Sequence, residues 1–318
     1  AGGATALAVA TATEALQRRR VGLECPVISL GPLTGAEVEL AIDAEAEILI
    51  CSLPFLRNLF SVAHNRGTRV RCHLKIDTGM RRLGLYPRRL VEFLDLVETA
   101  PEVELAGVMT HFASADEEEE DFFKFQLHAF EDVVQTVLTT GLTPVFHAAN
   151  SAAAIRYPES HFSMVRCGIA IYGLSPFQGD ANADGLRPAL RLTSYLADIK
   201  ELAEGDSVGY GCTWTAPRKT SIGILPIGYG DGFNRRLSNR GRALIGGESF
   251  PVVGRVSMDQ ITVDLGPSPR AGAGAEAVLS GAQGDEAISA EEMAALLDTI
   301  NYEVTCNLSP RVERRYTG

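Results

Sequence analysis

The sequence lacks an excess of positive charge, paired cysteines and any long apolar run. Its formal net charge is -11, so the basic stripe that a nucleic-acid binder needs is missing. No apolar stretch reaches the length of a membrane-spanning helix. Cys25, Cys51, Cys72, Cys167, Cys212 and Cys306 are scattered without a CxxC pair, and most sit inside apolar runs. That distribution predicts free, buried thiols in a reducing, cytoplasmic compartment and argues against a zinc site, so no metal is expected. No signal peptide is visible, residue 1 is not Met, and AGGATALAVA reads as a helix end running into a strand. The chain is therefore expected to begin inside a domain.

What is present is an ordinary globular composition, 46% hydrophobic and 22% charged over 318 residues. That length suits two domains, or one large barrel with an appendage. Up to about residue 185, β-like apolar runs alternate with helix-like segments. The runs cover 6–10, 26–30, 47–51, 69–76, 105–112, 144–148 and 164–172. Between them lie TATEALQRRR, PRRLVEFLDLVETA and EDFFKFQLHAFEDVVQTVLTTG, the last stopped by Gly141. Seven strands of this kind, each with a doubly buried texture, predict an α/β fold: a (β/α)8 TIM-type barrel over residues 1–186, missing its first strand.

After Pro188 the texture changes to short strands broken by Gly-rich turns, at 192–199, 221–226, 242–245, 251–253 and 260–263. Residues 187–318 are therefore expected to form a mostly β C-terminal domain. A flexible turn region is expected within 266–288, and Ser289 to Glu292 read as a capping box opening a short helix. The acidic run DEEEED at 116–121 reads as a solvated helix N-terminus, where carboxylates suit the helix dipole.

In a (β/α) barrel the C-terminal strand ends form one rim, and active sites sit there. Those positions hold Lys75 and Asp77, His111, His147 with Asn150 and Ser151, and Arg166. A lone histidine is commonly structural and a lone strand-end lysine commonly solvated. Four consecutive strands aiming ionisable groups at one mouth predict a functional rim. Asn150-Ser151 ahead of AAAI, with Gly168 beyond Arg166, could cradle a phosphate or could be an ordinary N-cap; the spacing leaves both open. Lys75, in HLKIDTGMRRLG, could be a catalytic amine, an ion-pair partner or the wet end of a strand. The second domain places Tyr210 in SVGYGCTW, Tyr229 in PIGYGDG and Met258 in GRVSMDQ, each beside a turn.

Taken in order, HLKIDTGMRRLG, THFASADE, HAANSAA, VRCGIAIYG, VGYGCTW, PIGYGDG, GRVSMDQ and INYEV resemble the alanine racemases, a pyridoxal 5'-phosphate family, over effectively the whole chain. The resemblance implies an (α/β)8 barrel with a mostly β C-terminal domain, acting as a head-to-tail homodimer with shared sites. It implies a two-base interconversion of L- and D-alanine, supplying D-alanine for peptidoglycan. Tyr210 would be one base, reaching the other subunit's cofactor. Arg166 would bind the pyridine nitrogen, and because a guanidinium keeps its proton, that nitrogen stays neutral and the electron sink is weakened. His147 would link the tyrosine to Arg166, with His111 alongside the cofactor ring. Asn150, Ser151, Gly168, Ile169 and Tyr302 would belong to the phosphate end. Arg82 would meet the cofactor phenolic oxygen and the substrate carboxylate, and Tyr229 and Met258 would complete the substrate site. Lys75 resembles the carbamylated lysine, an anion that can hold Arg82 in a charge-assisted pair. The family's cofactor-bearing lysine lies on the first barrel strand, upstream of LAVAT, so the chain as given is expected to be inactive by itself. Two other readings are a racemase of broader specificity and a non-catalytic binding protein built on the same fold.

Overall fold

The computed structural model describes residues 3–317. The chain divides into two compact units, Ala1–Gly168 and Ile169–Gly318, so the division falls upstream of the boundary expected at 186.

The first unit repeats strand and helix. Its strands are β1 (Leu7–Val9), β2 (Val27–Ser29), β3 (Glu47–Ile50), β4 (Val70–Lys75), β5 (Val103–Met109) and β6 (Val145–His147). They pair in parallel in chain order, β1 to β6. Neighbours in sequence are neighbours in the sheet, which is the order of a barrel wall; a doubly wound open sheet reverses at a switch point. The helices are α1 (Ala12–Arg20), α2 (Gly35–Asp43), α3 (Leu53–Arg66), α4 (Leu90–Glu98), α5 (Asp121–Thr139) and α6 (Ser151–Arg156).

Local chemistry explains their limits. Thr11 caps α1 in a reciprocal pair with Glu14, and Ser52 caps α3, which ends at Gly67 in the left-handed region. In α4, Leu90, Phe93, Leu94 and Val97 recur at the spacing of one helical face and are all buried. The acidic run at 116–120 precedes α5 as irregular, largely exposed backbone, and the helix itself starts at Asp121.

The seventh expected strand, at 164–172, does not form. Its backbone makes single hydrogen bonds beside β6, Ser163 N to Phe146 O and Arg166 N to Ala149 O, both 2.9 Å. It then turns into a 3₁₀ segment, Ile169–Tyr172, whose Ile169 is buried in the core of the second unit. Two isolated bonds do not make a ladder, although the apolar alternation imitates one.

The second unit is mostly β. It contains β7 (Leu192–Tyr195), β8 (Asp198–Leu202), β9 (Ser207–Val208), β10 (Trp214–Thr215), β11 (Thr220–Leu225) and β12 (Arg242–Ile245). These are followed by β13 (Glu248–Pro251), β14 (Ile261–Gly266), β15 (Glu276–Gln283), β16 (Glu286–Ile288) and the helices α7 (Ala290–Leu297) and α8 (Asn301–Cys306). All strand pairings here are antiparallel, in the orders β14-β11-β8 and β13-β12-β15-β16, with β7 also on β15 and β9 on β10. The core gathers Leu196, Leu225, Leu244, Val263 and Leu279 with Met293 of α7. Each such side chain contributes roughly 1.5–3 kcal/mol on burial.

The turn region expected within 266–288 falls at 267–275, and β15 follows it, running through Ala277, Val278 and Leu279, all fully buried. Ser289 caps α7 by accepting from Glu292 N at 3.0 Å, but the Glu292 carboxylate does not fold back as a capping box would require. It is bonded instead to Arg242 Nε and Nη2, both at 2.7 Å. All six cysteines are free thiols, but only Cys72 is fully buried, and Cys212 and Cys306 are exposed.

Candidate functional site

The upper rim of the first unit begins at the end of β4. Arg71, His73 and Lys75 alternate onto one face of that strand, with Lys75 topmost. Beyond it the chain makes a closed loop. Asp77 N donates to Leu85 O (2.9 Å) and Leu85 N to Lys75 O (2.8 Å). Asp77 Oδ1 accepts from Gly79 N and Arg81 N, each at 3.0 Å. Gly84 permits this return, because an added Cβ there would lie 2.7 Å from Asp77 N and its φ is +137°. Lys75 is buried. Burial lowers its pKa most; Cys51 opposes that, the nearby Arg82 and Arg166 charges add to it, and Asp77 opposes with the smallest effect. Among the described residues Lys75 makes no ion pair, and Arg82 is exposed without one.

Gln126, fully buried on α5, holds this loop to the next. Its Nε2 donates to Thr78 Oγ1 (3.1 Å) and His111 O (3.2 Å), and its Oε1 accepts from Ala113 N (2.8 Å). Thr78 Oγ1 lies 2.7 Å from Thr110 Oγ1, which itself bonds Ile76 O at 2.9 Å. A polar residue on the apolar face of an amphipathic helix was the available signal for Gln126, and the sequence reading missed it.

Arg166 occupies the centre of the rim. Its Nη1 donates to His147 Nδ1 (3.1 Å), and its Nη2 to Thr110 O (2.8 Å), Ala148 O (2.9 Å) and His111 Nδ1 (3.1 Å). Nε has no protein acceptor among the described residues. Burial lowers the guanidinium pKa to about 10, which still leaves it a cation at neutral pH. Both histidines must present lone pairs to it. Accordingly burial, and then the Arg166 charge, lower His111 to about 3 and His147 to about 2. The rim therefore contains one fixed cation flanked by two neutral imidazoles.

Beyond His147, Asn150 caps α6 by accepting from Ala153 N at 3.0 Å. Ser151 Oγ accepts from Gly168 N at 3.0 Å. Neither φ nor a close protein neighbour demands glycine at 168, since an added Cβ there meets nothing within 4 Å. The structure thus brings Lys75, His111, His147, Asn150, Ser151, Arg166 and Gly168 onto one rim.

Two further groups were missed. His73 and Glu47 lie below His147 in the interior, with His73 Nδ1 2.8 Å from His147 Nε2 and His73 Nε2 2.5 Å from Glu47 Oε2. Glu47 Oε1 is paired with Arg71.

In the second unit three turns converge on the segment 254–259. Gly209 and Gly211, both in the left-handed region, flank Tyr210 and lie against Arg255. Tyr229 N donates to Ser257 O (3.0 Å) and Gly230 N to Met258 O (2.9 Å). That approach needs Gly228, whose added Cβ would fall 2.3 Å from Ser257 O. Arg311 fastens the base through Asp231 (2.7 Å) and Asp259 (2.6 Å). Tyr210 is 73% exposed, with Tyr229 and Met258 also exposed. Elsewhere in this unit, Ile169 is buried in the core. Tyr302 stands half-buried on α8, which is anchored by the fully buried Asn301 through Ser175 O and Glu291, both at 2.8 Å.

Comparison with known proteins gives a consistent result. Residues 1–176 match the family model "Alanine racemase, N-terminal domain" and residues 189–316 the model "Alanine racemase, C-terminal domain". An alanine racemase of Symbiobacterium thermophilum is 40% identical over 99% of this chain and 84% of its own. That of Geobacillus stearothermophilus is 40% identical over 98% of this chain and 80% of its own. Among solved structures, the alanine racemase from D-cycloserine producing Streptomyces lavendulae aligns with a TM-score of 0.94 at 35% identity. That alignment covers 99% of this chain and 84% of the other.

Proposed function

Since the chain belongs to the alanine racemase family, whose members are pyridoxal-phosphate-dependent isomerases, we propose that its rim interconverts L- and D-alanine. The observation that carries this reading is Arg166, a permanent cation held by four hydrogen bonds between two neutral histidines.

The residues present fit the cofactor. Arg166 has a donor at Nε that no described residue uses, suited to a ring nitrogen. Ser151 Oγ, at the start of α6 and held by the Gly168 amide, suits a phosphate. The cofactor supplies acidity at the substrate α-carbon. Arg166, unable to release its proton at neutral pH, keeps the ring nitrogen a hydrogen-bond acceptor and so limits charge delocalisation. His147 and His111, both neutral, accept from Arg166 and hold its plane.

Lys75 is assigned as a carbamate. The lowered amine pKa raises the share of neutral nucleophile, whose nitrogen bonds the carbon of CO2 while the amine loses a proton. The resulting anion is favoured by the Arg82 and Arg166 charges that oppose an ammonium at the same place, and it orients Arg82 toward a substrate carboxylate. Intact-protein mass with one added CO2, lost in K75A, checks this.

Tyr210 Oη is assigned the proton transfer on one face of the substrate. Its exposure on a rigid double-glycine turn suits delivery to a second copy of the chain, with Tyr229 and Met258 lining the substrate beside it, so the working unit is a homodimer. Cytoplasmic D-alanine made in this way feeds peptidoglycan synthesis. Circular dichroism of L- and D-alanine incubated with the full-length, pyridoxal-phosphate-loaded protein tests the reading: both rotations decay to zero. A folded, loaded protein that leaves either rotation unchanged overturns it.

A further inference from the structure

Below the rim, the register of the first unit forms rows across the strands. Leu49, His73, Gly107 and Val145 share one row of β3 to β6, and Lys75, Met109 and His147 the row above. Glu47 lies two residues below Leu49 on the same face. His73 is therefore two strands and one row away from His147, with β5 in between.

Donor direction settles the protons along this line. Arg166 Nη1 can only donate, so His147 Nδ1 accepts, and a neutral His147 carries its hydrogen on Nε2. That nitrogen is 2.8 Å from His73 Nδ1, which must accept, leaving the His73 hydrogen on Nε2. His73 Nε2 then donates over 2.5 Å to Glu47 Oε2. Every bond runs the same way, from the Arg166 cation through two neutral imidazoles to a carboxylate anchored by Arg71.

An independent feature makes the crossing possible. A Cβ at Gly107 would lie 2.1 Å from His73 Nδ1 and 2.4 Å from its Cε1, so β5 has a gap where the His73 ring passes toward β6. The two rings meet edge-on, with centroids 5.0 Å apart.

We propose that Glu47, His73 and Gly107 form a positioning chain that fixes the His147 tautomer and, through it, the orientation of Arg166 at the rim. Its effect on turnover rests on the racemase reading; the chain of protons does not. Burial alone would raise the Glu47 pKa, but His73 and Arg71 outweigh it and hold the carboxyl low, so the anionic end persists at neutral pH. Glu47 touches none of the reacting groups and acts only through its neighbours.

The test is long-range ¹⁵N–¹H spectroscopy of histidine-labelled holoenzyme, read alongside racemisation. In the wild type, His73 and His147 carry hydrogen on Nε2 only. E47L leaves His73 Nε2 without its acceptor, so only the Arg166 bond still opposes the other tautomer; both rings populate it in part and kcat falls on the order of tenfold, the scale of one hydrogen bond to a charged group. E47Q, whose amide oxygen still accepts from Nε2, retains the tautomers and a rate closer to the wild type. G107A displaces the His73 ring and reproduces the E47L spectra from a different position. A wild-type His147 protonated on Nδ1 overturns the proposal, as does a folded E47L protein with unchanged tautomers. If E47L does not fold, the wild-type and G107A spectra decide. A holoenzyme that shows these tautomers yet does not racemise alanine upholds the chain and sinks the reaction.

Discussion

In the first unit the groups assigned to chemistry are held inward. Lys75, His73, His147 and Glu47 are all buried, and their protons are dictated by neighbours. In the second unit Tyr210, Tyr229 and Met258 stand exposed on turns above a core of leucine, isoleucine and valine. The contrast extends to composition, since all six histidines of the chain lie before residue 169 and none after it. A buried polar site must satisfy every donor and acceptor at once, so its residues are coupled. A surface turn needs only a firm backbone, so its side chains are separable from stability.

Four measurements sharpen that difference. The largest effect is expected from Y210F, which should lower racemisation by about 10²–10⁴-fold, the range of a lost general acid or base, with no shift in melting temperature. A drop in melting temperature with activity intact would reverse the roles assigned to turn and core. L225A, in the fully buried heart of the second unit, should cost about 2–5 kcal/mol by denaturant titration, with turnover of the folded fraction unchanged.

Acid should separate the units next. His111 and His147 titrate at about 3 and about 2 when folded, against 6.5 when unfolded, so below 6.5 the unfolded chain binds more protons. Stability of the first unit therefore falls as the pH drops through that window, by about 1.4 kcal/mol per pH unit for each histidine. The second unit has no histidine to impose this slope. Amide exchange at pH 5 and 7 reads both units together, and equal slopes would contradict the contrast.

The smallest effects compare two caps. N150A and S289A each remove an N-cap and should each cost about 1 kcal/mol. Only N150A, at the rim, should also weaken cofactor retention, measured by dialysis.

The parts legible in the sequence were those whose pattern is local. The C-terminal ends of β4, β5 and β6 marked Lys75, His111 and His147, whereas Arg166 was marked on a strand that does not form, and the apolar face of α4 was readable from spacing. The seventh strand misled because alternation at 164–172 reports burial, whereas a ladder requires a partner edge along its whole length. β15 was hidden by its glycine-rich flanks, although its AVLS centre is core. Glu47 and His73 were missed for a different reason. A charge at the beginning of one strand and a histidine in the middle of the next look like solvated positions until the register shows them facing the same interior. Gly107 was illegible too, because the need for a missing side chain is created by a ring on another strand.

Gln126 has a consequence for how this unit can change. One side chain of α5 fastens two loops, at Thr78 and at His111 and Ala113. Inserting or deleting one residue in the first turns of α5 rotates everything beyond it by about 100° and would release both loops together. The length of the chain between β5 and Gln126 is thus fixed by the geometry of the rim, while past Gln126 only the outer face of α5 is free to vary, because Leu127, Phe130, Val133, Val134 and Val137 are buried.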